Sequence, residues 1–347
     1  MPDRITVNCL GVGHWGPNIL RIFATHPAAR VGAVCDVSVE RLELVRKRIP
    51  GDYRLTTDSL AAATDPGAQA VVIATPVESH YALTKAALEA GKHVLVEKPL
   101  CRSSAEGEEL LALAKEKGVV LAVGHIFLFN SGIREIRRLI QSGELSGLQY
   151  IFATRTNLGP FRSDVNALWD LAAHDLSIFD YWLGAGPLAV TARGQSWLTP
   201  GVEDVVVATF DYPGGVMASV HASWLNPKKV REITVVGTSE MVVWNDMDLT
   251  EPVRIYHKSV AVERDARYSD TFGSFRMMVR NGDVVSPFLE GREPLAAECE
   301  HFLECVAAGR EPLNSGGEGL RVVRALEAAA RSIREGSILV RIPENPT

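Results

Sequence analysis

The sequence predicts an α/β chain in two parts, a doubly wound parallel sheet followed by an α+β part built on a large, mostly antiparallel open sheet. Three observations predict it. Up to residue 123, short apolar runs alternate with helical stripes, the pattern of βαβ units. Between about 188 and 244 the runs have period two and follow one another without helices. At 347 residues the chain is also too long for one small core.

Ile5 to Leu10 is a β-rich run that leads straight into Gly11-Val-Gly13-His14-Trp15-Gly16, and Ile19, Leu20, Ile22 and Phe23 follow at helical spacing. Strand, glycine turn and helix are the setting in which GxGxxG carries meaning. Gly11 permits the tight turn, Gly13 lets a pyrophosphate approach the backbone, and Gly16 lets the helix pack on the strand. The helix start then faces the phosphates with unpaired N–H groups. This is the dinucleotide-binding fingerprint of a Rossmann sheet. A second strand, Val31 to Cys35, ends at Asp36, twenty residues past Gly16. A carboxylate there accepts from an adenosine ribose and repels a 2′-phosphate, which favours NAD; Arg41 close by leaves NADP open.

Val39, Leu42, Val45 and Ile49 form the next helical stripe. Ala70 to Ala74 reads as a buried strand ending in Thr75-Pro76, and a helix then runs to Ala90 with Gly91 as its stop. The run Val94 to Val96 ends in Glu97-Lys98-Pro99. Proline stops the strand, and Lys98 lies beyond its carboxyl end, where open α/β sheets bind ligands. Ser103 with Glu106 fits a capping box for a helix to Lys117, stopped by Gly118, and Val119 to Val123 is the sixth strand. The division expected is a dinucleotide-binding domain over 1–123 and a substrate-binding and oligomerisation domain over 124–347. His80 and His125 both follow strand ends near the expected cofactor; for each, a packed or solvated histidine is the equal alternative.

After Gly124 comes a helix, Ile133 to Gln141, a strand, Gln149 to Thr156, and a helix beginning near Trp169. Asp170 and His174 are four apart and share one face of it with Ile178 and Trp182. The chemical reading makes His174 a general base oriented by Asp170; a structural Asp–His pair at a helix start is the equal alternative. Leu188 to Trp197, Val205 to Tyr212, Val216 to Trp224, Arg231 to Val236 and Met241 to Trp244 read as consecutive strands. One face of their sheet is expected under helices and the other free for a second subunit. Residues 258–292 read as an irregular, mobile arm. Helices over Ala297 to Ala307 and Gly319 to Arg334 and a strand over Ser337 to Ile342 close the chain.

The composition is that of an ordinary globular protein, with 46% apolar and 22% charged residues. A formal charge of −6 with no basic block argues against nucleic acid or an anionic membrane as partner. Five scattered cysteines without a CxxC pair read as reduced thiols rather than a disulfide frame or zinc site. No His, Asp and Glu spacing suggests a metal, and no GxSxG suggests covalent hydrolysis. The chain enters its first strand without a signal segment and has no membrane-spanning run, so the cytoplasm is expected.

GVGHWG at 11–16, TPVESH at 75–80, EKP at 97–99, GH at 124–125 and DLAAH at 170–174 together resemble the Gfo/Idh/MocA oxidoreductases over essentially the whole chain. The resemblance implies that Lys98 and His174 contact the hydroxyl being oxidised and that Asp170 belongs to the same site. The expected cofactor contacts are Gly11, Gly13, His14, Trp15, Gly16, Asp36, Arg41, Thr75, Pro76, His80, Glu97, Lys98 and His125. The expected substrate contacts are Lys98, Arg155, Trp169, Asp170, His174 and Arg231. Arg155, Arg162 and Arg231 are candidates for a diphosphate clamp, each with a solvated surface arginine as the alternative. Ser223 to Arg231 and Trp169 to His174 resemble the members that act on nucleotide-linked sugars. Val77, where many members have Asn, and Ser131, where Pro is common, depart from the pattern. The implied activity is oxidation of a sugar hydroxyl by NAD, at C3 of a UDP-N-acetylhexosamine, in a homodimer or homotetramer. The rivals are a keto-sugar reductase, an inositol or free-sugar dehydrogenase and, from another class, a dinucleotide-binding sensor without turnover.

Overall fold

The computed structural model describes residues 4–162, 165–262, 277–280 and 282–343. The first part comprises β1 (Ile5–Leu10), α1 (Gly16–Thr25), β2 (Ala29–Cys35), α2 (Val39–Arg48), β3 (Arg54–Thr56) and α3 (Ser59–Ala63). It continues with β4 (Ala70–Ile73), α4 (His80–Glu89), β5 (His93–Glu97), α5 (Ser104–Lys117) and β6 (Leu121–Gly124). The strands lie in the order β3-β2-β1-β4-β5-β6, all parallel. The order reverses between β1 and β4, which opens a crevice beyond the strand ends at that point. All four residues of β4, Ala-Val-Val-Ile, are buried, as a strand covered on both faces requires. The capping expected for α5 is present: Ser103 Oγ accepts from Glu106 N at 3.3 Å, Glu106 Oε2 from Arg102 N at 2.9 Å, and Gly118 ends the helix at φ +65°.

The second part comprises α6 (Ser131–Ser142), β7 (Tyr150–Leu158), α7 (Ala173–Leu183), β8 (Ala189–Gln195), β9 (Val205–Asp211), β10 (Met217–Ser223), β11 (Leu225–Val236) and β12 (Met241–Asn245). After these come β13 (Val253–Tyr256), β14 (Ser259–Val262), β15 (Met277–Arg280), β16 (Val284–Val285), α8 (Pro294–Ala308), α9 (Gly316–Arg334) and β17 (Val340–Arg341). Nine strands form one sheet in the order β16-β13-β12-β11-β7-β10-β9-β8-β17. The consecutive-strand reading needs correction here, because β7 inserts between β11 and β10 and pairs in parallel with β10. Part of the expected irregular arm is also regular: β14 pairs antiparallel with β15, while 263–276 lie outside the described residues.

Ile151, Ala153, Val220, Ile233 and Val235 on the inner face of this sheet pack against Ile136 of α6, Phe179 of α7 and Leu326 of α9. On the outer face Tyr150, Phe152, Val207 and Met217 are exposed. The closing helices do not stay with the second sheet. Leu295, Cys299 and Phe302 of α8 join the core around β1 and α1, and Leu320 and Val323 of α9 join the core on the opposite face of the parallel sheet. The expected boundary at 123/124 falls at the last residue of β6, and α8 and α9 help to cover the parallel sheet that precedes it.

Candidate active site

The glycine loop between β1 and α1 is shaped by steric limits. Gly11 holds φ +89°, and a Cβ there would come within 2.5 Å of the Ala74 carbonyl oxygen. A Cβ on Gly16 would overlap the Gly11 carbonyl oxygen. On Gly13 a Cβ would meet nothing nearer than the Arg41 guanidinium at 3.9 Å, so the backbone there faces the open space a pyrophosphate needs. His14 is exposed and Trp15 half-buried on the same loop. Asp36, at the end of β2, is buried; its Oδ2 accepts from Val12 N at 2.8 Å and its Oδ1 from Ser38 N at 2.9 Å. It therefore braces the loop. Arg41 stands 3.8 Å from Oδ1.

His80 is corrected by the structure. Its ring is buried, with Nδ1 2.8 Å from Pro99 O and Nε2 2.9 Å from Thr75 O. The neutral ring has one N–H and donates it to one of the two carbonyls, so His80 sits packed between the Thr75-Pro76 turn and the Lys98-Pro99 turn. Ser79 Oγ adds a 2.6 Å bond to Thr75 Oγ1.

Lys98, at the end of β5, reaches across to the second part of the chain. Its Nζ donates to Asp170 O at 2.7 Å and to Asp170 Oδ1 at 3.2 Å. A π-helical turn, Leu168–Ala172, carries Asp170 into α7, and such turns recur where a helix serves a site. Arg162 also donates to Asp170 Oδ1, at 3.2 Å, and the indole of fully buried Trp224 donates to Oδ2 at 3.3 Å. Burial pushes the Asp170 carboxyl up, but Lys98 and Arg162 beside it more than offset this and hold it below the usual carboxylate range. The expected Asp170–His174 hydrogen bond is not among these contacts. The carboxylate is occupied by two cations and an indole, so Asp170 fixes Lys98 rather than the imidazole.

His174 is half-buried, and its Nδ1 is buried without a partner. The ring of Phe127 meets it edge-on with centroids 5.1 Å apart. Burial, then Lys98 and Arg155, drive its pKa well below the ordinary value, so the imidazole is neutral. His125 is fully buried with both ring nitrogens partnerless; burial and Lys98 push it down to about 3. Since Glu97 pairs with Gly124 in the β5–β6 register, Lys98 and His125 leave adjacent strand ends side by side.

Glu97 turns back toward its own strand: Lys98 N donates to its Oε2 at 3.2 Å, and the Trp15 indole is near enough to favour the charged carboxylate. Burial raises it to about 7 against the opposing pull of Lys98. Nearby, Glu298 of α8 is buried and held by Asn314 Nδ2 at 3.1 Å, which also donates to Val123 O at 2.6 Å.

The three arginines part company. Arg155 is corrected: it is 3% exposed, forks onto Asp175 at 2.7–3.1 Å and lies over the Phe127 ring, so its donors are spent inside the protein. Arg162 and Arg231 keep 37% and 38% of their side chains exposed, Arg231 paired with Asp246 at 3.0 Å, and both remain near the cleft. Trp169 is half-buried and packs against the cores of both sheets. Trp224, Phe127, Asp175 and Glu298 were not found by sequence reasoning. Asp175 alone left a local signal, an acid directly after His174 at a position the helical stripe buries.

Among the described residues no cluster of three or more His, Cys, Asp or Glu is arranged to hold a metal ion, and no helix is long and apolar enough to cross a membrane. Comparison with known proteins adds two family matches: the oxidoreductase family with an NAD-binding Rossmann fold over residues 5–125, and the GFO/IDH/MocA C-terminal domain over 133–243. A UDP-N-acetylglucosamine 3-dehydrogenase of Acidithiobacillus ferrooxidans is 31% identical over 321 residues, covering 91% of this chain and 93% of its own. The solved structure of UDP-N-acetylglucosamine 3-dehydrogenase GnnA from that organism superposes with a TM-score of 0.80 at 27% identity, over 96% of this chain and 98% of the other. GenD2 from gentamicin A biosynthesis, solved in complex with NAD, gives a TM-score of 0.81 at 25% identity over 99% and 97%.

Proposed function

The chain belongs to the Gfo/Idh/MocA family of NAD-binding oxidoreductases, and from that premise we propose that it oxidises a secondary hydroxyl of a sugar, at C3 of a UDP-N-acetylhexosamine. The observation that carries the reading is the Lys98–Asp170 contact beside a neutral His174, which puts a fixed cation and a proton acceptor in one cleft. Two Lys98 donors are held by Asp170, leaving the third N–H for the substrate oxygen, where it stabilises negative charge as the hydroxyl proton departs. His174, uncharged throughout the neutral range, takes that proton. Asp170 keeps the lysine charge in place at little cost, and Trp224 keeps Asp170 in place. Gly11, Gly13, Gly16, Asp36 and Arg41 would hold the adenosine and phosphates of NAD, whose nicotinamide would supply the hydride acceptor for the carbon. Arg162 and Arg231 are suited to the diphosphate of the sugar nucleotide. The 31% identity to a UDP-N-acetylglucosamine 3-dehydrogenase supports the substrate class.

We also place two or four copies together through the outer face of the nine-stranded sheet, where exposed Tyr150, Phe152, Val207 and Met217 support burial by a second copy. Five free, buried cysteines support a cytoplasmic location.

The test is to mix the purified protein with NAD and either UDP-N-acetylglucosamine or myo-inositol and follow NADH by absorbance. Signal with the sugar nucleotide alone is expected. Signal with inositol alone moves the protein to polyols, and activity only on keto-sugars with NADH or NADPH reverses the direction.

A further inference from the structure

His174 lacks the device that usually aims a catalytic imidazole. Such a base is held in one orientation by a hydrogen bond from its second nitrogen to a carboxylate or a carbonyl. Here Nδ1 is buried with no partner, and the nearby Asp170 carboxylate is taken by Lys98, Arg162 and Trp224. A ring free to turn about its last torsion carries its nitrogens away from the substrate hydroxyl, and a misplacement of about 1 Å costs on the order of a hundredfold in rate. What meets the imidazole instead is a phenyl ring. Phe127, in the short turn of helix Ile126–Phe129 that follows β6, stands 5.1 Å from it, centroid to centroid, at 79°.

Phe127 is itself fixed by two further contacts. The Arg155 guanidinium lies 4.6 Å from its centroid, and the fully buried Trp244 meets it edge-on at 5.7 Å and 84°. Asp175 holds that guanidinium in a fork: Nε donates to both carboxylate oxygens at 3.1 Å and Nη2 to Oδ1 at 2.7 Å, with the two side chains 3% and 1% exposed. A buried fork of this kind adds little net stability, yet it admits one geometry. Asp175 is also the residue directly after His174 on α7. The contacts therefore close a circuit, from α7 through Asp175 to Arg155 of β7, from Arg155 to Phe127, and from Phe127 back to His174. Aromatic rings favour the edge-on arrangement over a face-to-face one, so a fixed phenyl ring fixes the plane of the imidazole.

We propose that Phe127 is a positioning residue that sets the plane of the His174 ring, and that the Arg155–Asp175 pair serves the same end by holding Phe127 in place. This rests on His174 as the proton acceptor and on no choice of sugar.

The test joins NMR relaxation of isotope-labelled histidine ring carbons in the full chain, which needs no substrate, with steady-state kinetics on whichever of UDP-N-acetylglucosamine and myo-inositol the protein oxidises with NAD. The His174 lines are those lost in His174→Asn. In the parent protein they are expected to relax as rigidly as the backbone, and in Phe127→Leu to report a loosened ring. Phe127→Leu is expected to lower kcat about ten- to hundredfold, with KM and the Kd for NADH within about threefold of the parent. Arg155→Lys keeps a charge for Asp175 but offers no planar face to the phenyl ring, and is expected to lower kcat in the same way by about threefold. A His174 ring already loose in the parent overturns the proposal, and so does parental kcat in Phe127→Leu. Losses of kcat, substrate affinity and Tm that run together mean a packing role and overturn it too. If Phe127→Leu does not fold, relaxation in the parent and the kinetics of Arg155→Lys decide. His174→Ala with parental turnover rejects the proton-acceptor reading beneath the proposal, whereas an inactive His174→Ala beside an unaffected Phe127→Leu rejects the positioning role alone.

Discussion

The loop that faces the adenosine end of the cofactor and the cleft around Lys98 treat their buried polar groups in opposite ways. Around the loop the buried polar groups find partners within the chain: Asp36 accepts from Val12 N and Ser38 N, and His80 donates its one N–H to Thr75 O or Pro99 O. In the cleft, His125 and His174 keep three buried nitrogens with no partner. A group paired by its own fold stabilises the fold, whereas an unpaired one costs stability and is useful only when a ligand meets it. The first region is finished before NAD arrives, and the second is finished by what binds.

That difference predicts which substitutions damage activity and which damage the fold. The largest effect belongs in the cleft. Lys98→Ala and His174→Ala should each lower kcat on the working substrate by about a thousandfold, the scale of losing a proton acceptor or a charge-stabilising donor. NAD affinity should change by less than about threefold, and His174→Phe should unfold no earlier than the parent protein, because an unpaired nitrogen is removed rather than a bond. Thermal unfolding beside steady-state kinetics reads both. Parallel losses of stability and turnover would abolish the distinction between the two regions.

Asp36 tests the opposite corner with a smaller effect. Asp36→Ala leaves the Val12 and Ser38 amides without their acceptor and removes the negative charge beside Arg41. The expected cost in stability is about 1–3 kcal/mol, and the preference for NAD over NADP should narrow by about tenfold, because Arg41 is then free to meet a 2′-phosphate. Chemical denaturation and the ratio of kcat/KM for the two cofactors measure these separately. Narrowing without destabilisation would show that Asp36 acts on the ribose alone and does not brace the loop.

The same contrast explains how far the sequence could be read. The finished region is local: GVGHWG, its flanking strand and helix, and an acid at fixed spacing lie within a short stretch whose geometry is set by chain connectivity. Lys98 was legible for the same reason, since a proline after a buried run marks a strand end. The cleft depends on distant pairs. Trp224 meets Asp170 across 54 positions and Lys98 meets it across 72, and no periodicity reports such contacts. Arg155 looked available because an arginine in a strand is usually solvated, yet its register turns it inward onto Asp175. The place of β7 between β10 and β11 was hidden likewise, because a strand's neighbours are not written in its own alternation. β3 is only three residues long, Arg54-Leu-Thr56, too short for an alternating pattern to stand out.

Glu97 lies between the two regions and gives the smallest effect. Its carboxyl accepts from the Lys98 amide and has the Trp15 indole nearby, and burial raises it to about 7 from an ordinary 4.5. A folded-state value above the unfolded one means that the native protein holds the proton more tightly. Its contribution to stability is then whole below about pH 4.5 and is lost as pH rises through about 7. Glu97→Gln carries no such proton, so the variant should gain on the parent between pH 5 and pH 8, by about 2–4 °C in Tm at the alkaline end. Thermal unfolding across that range, without cofactor, reads the gain as a difference that widens with pH. Two curves that run parallel from pH 5 to pH 8 would mean that Glu97 is ionised throughout, and would assign it to the cleft as a fixed negative charge beside Lys98.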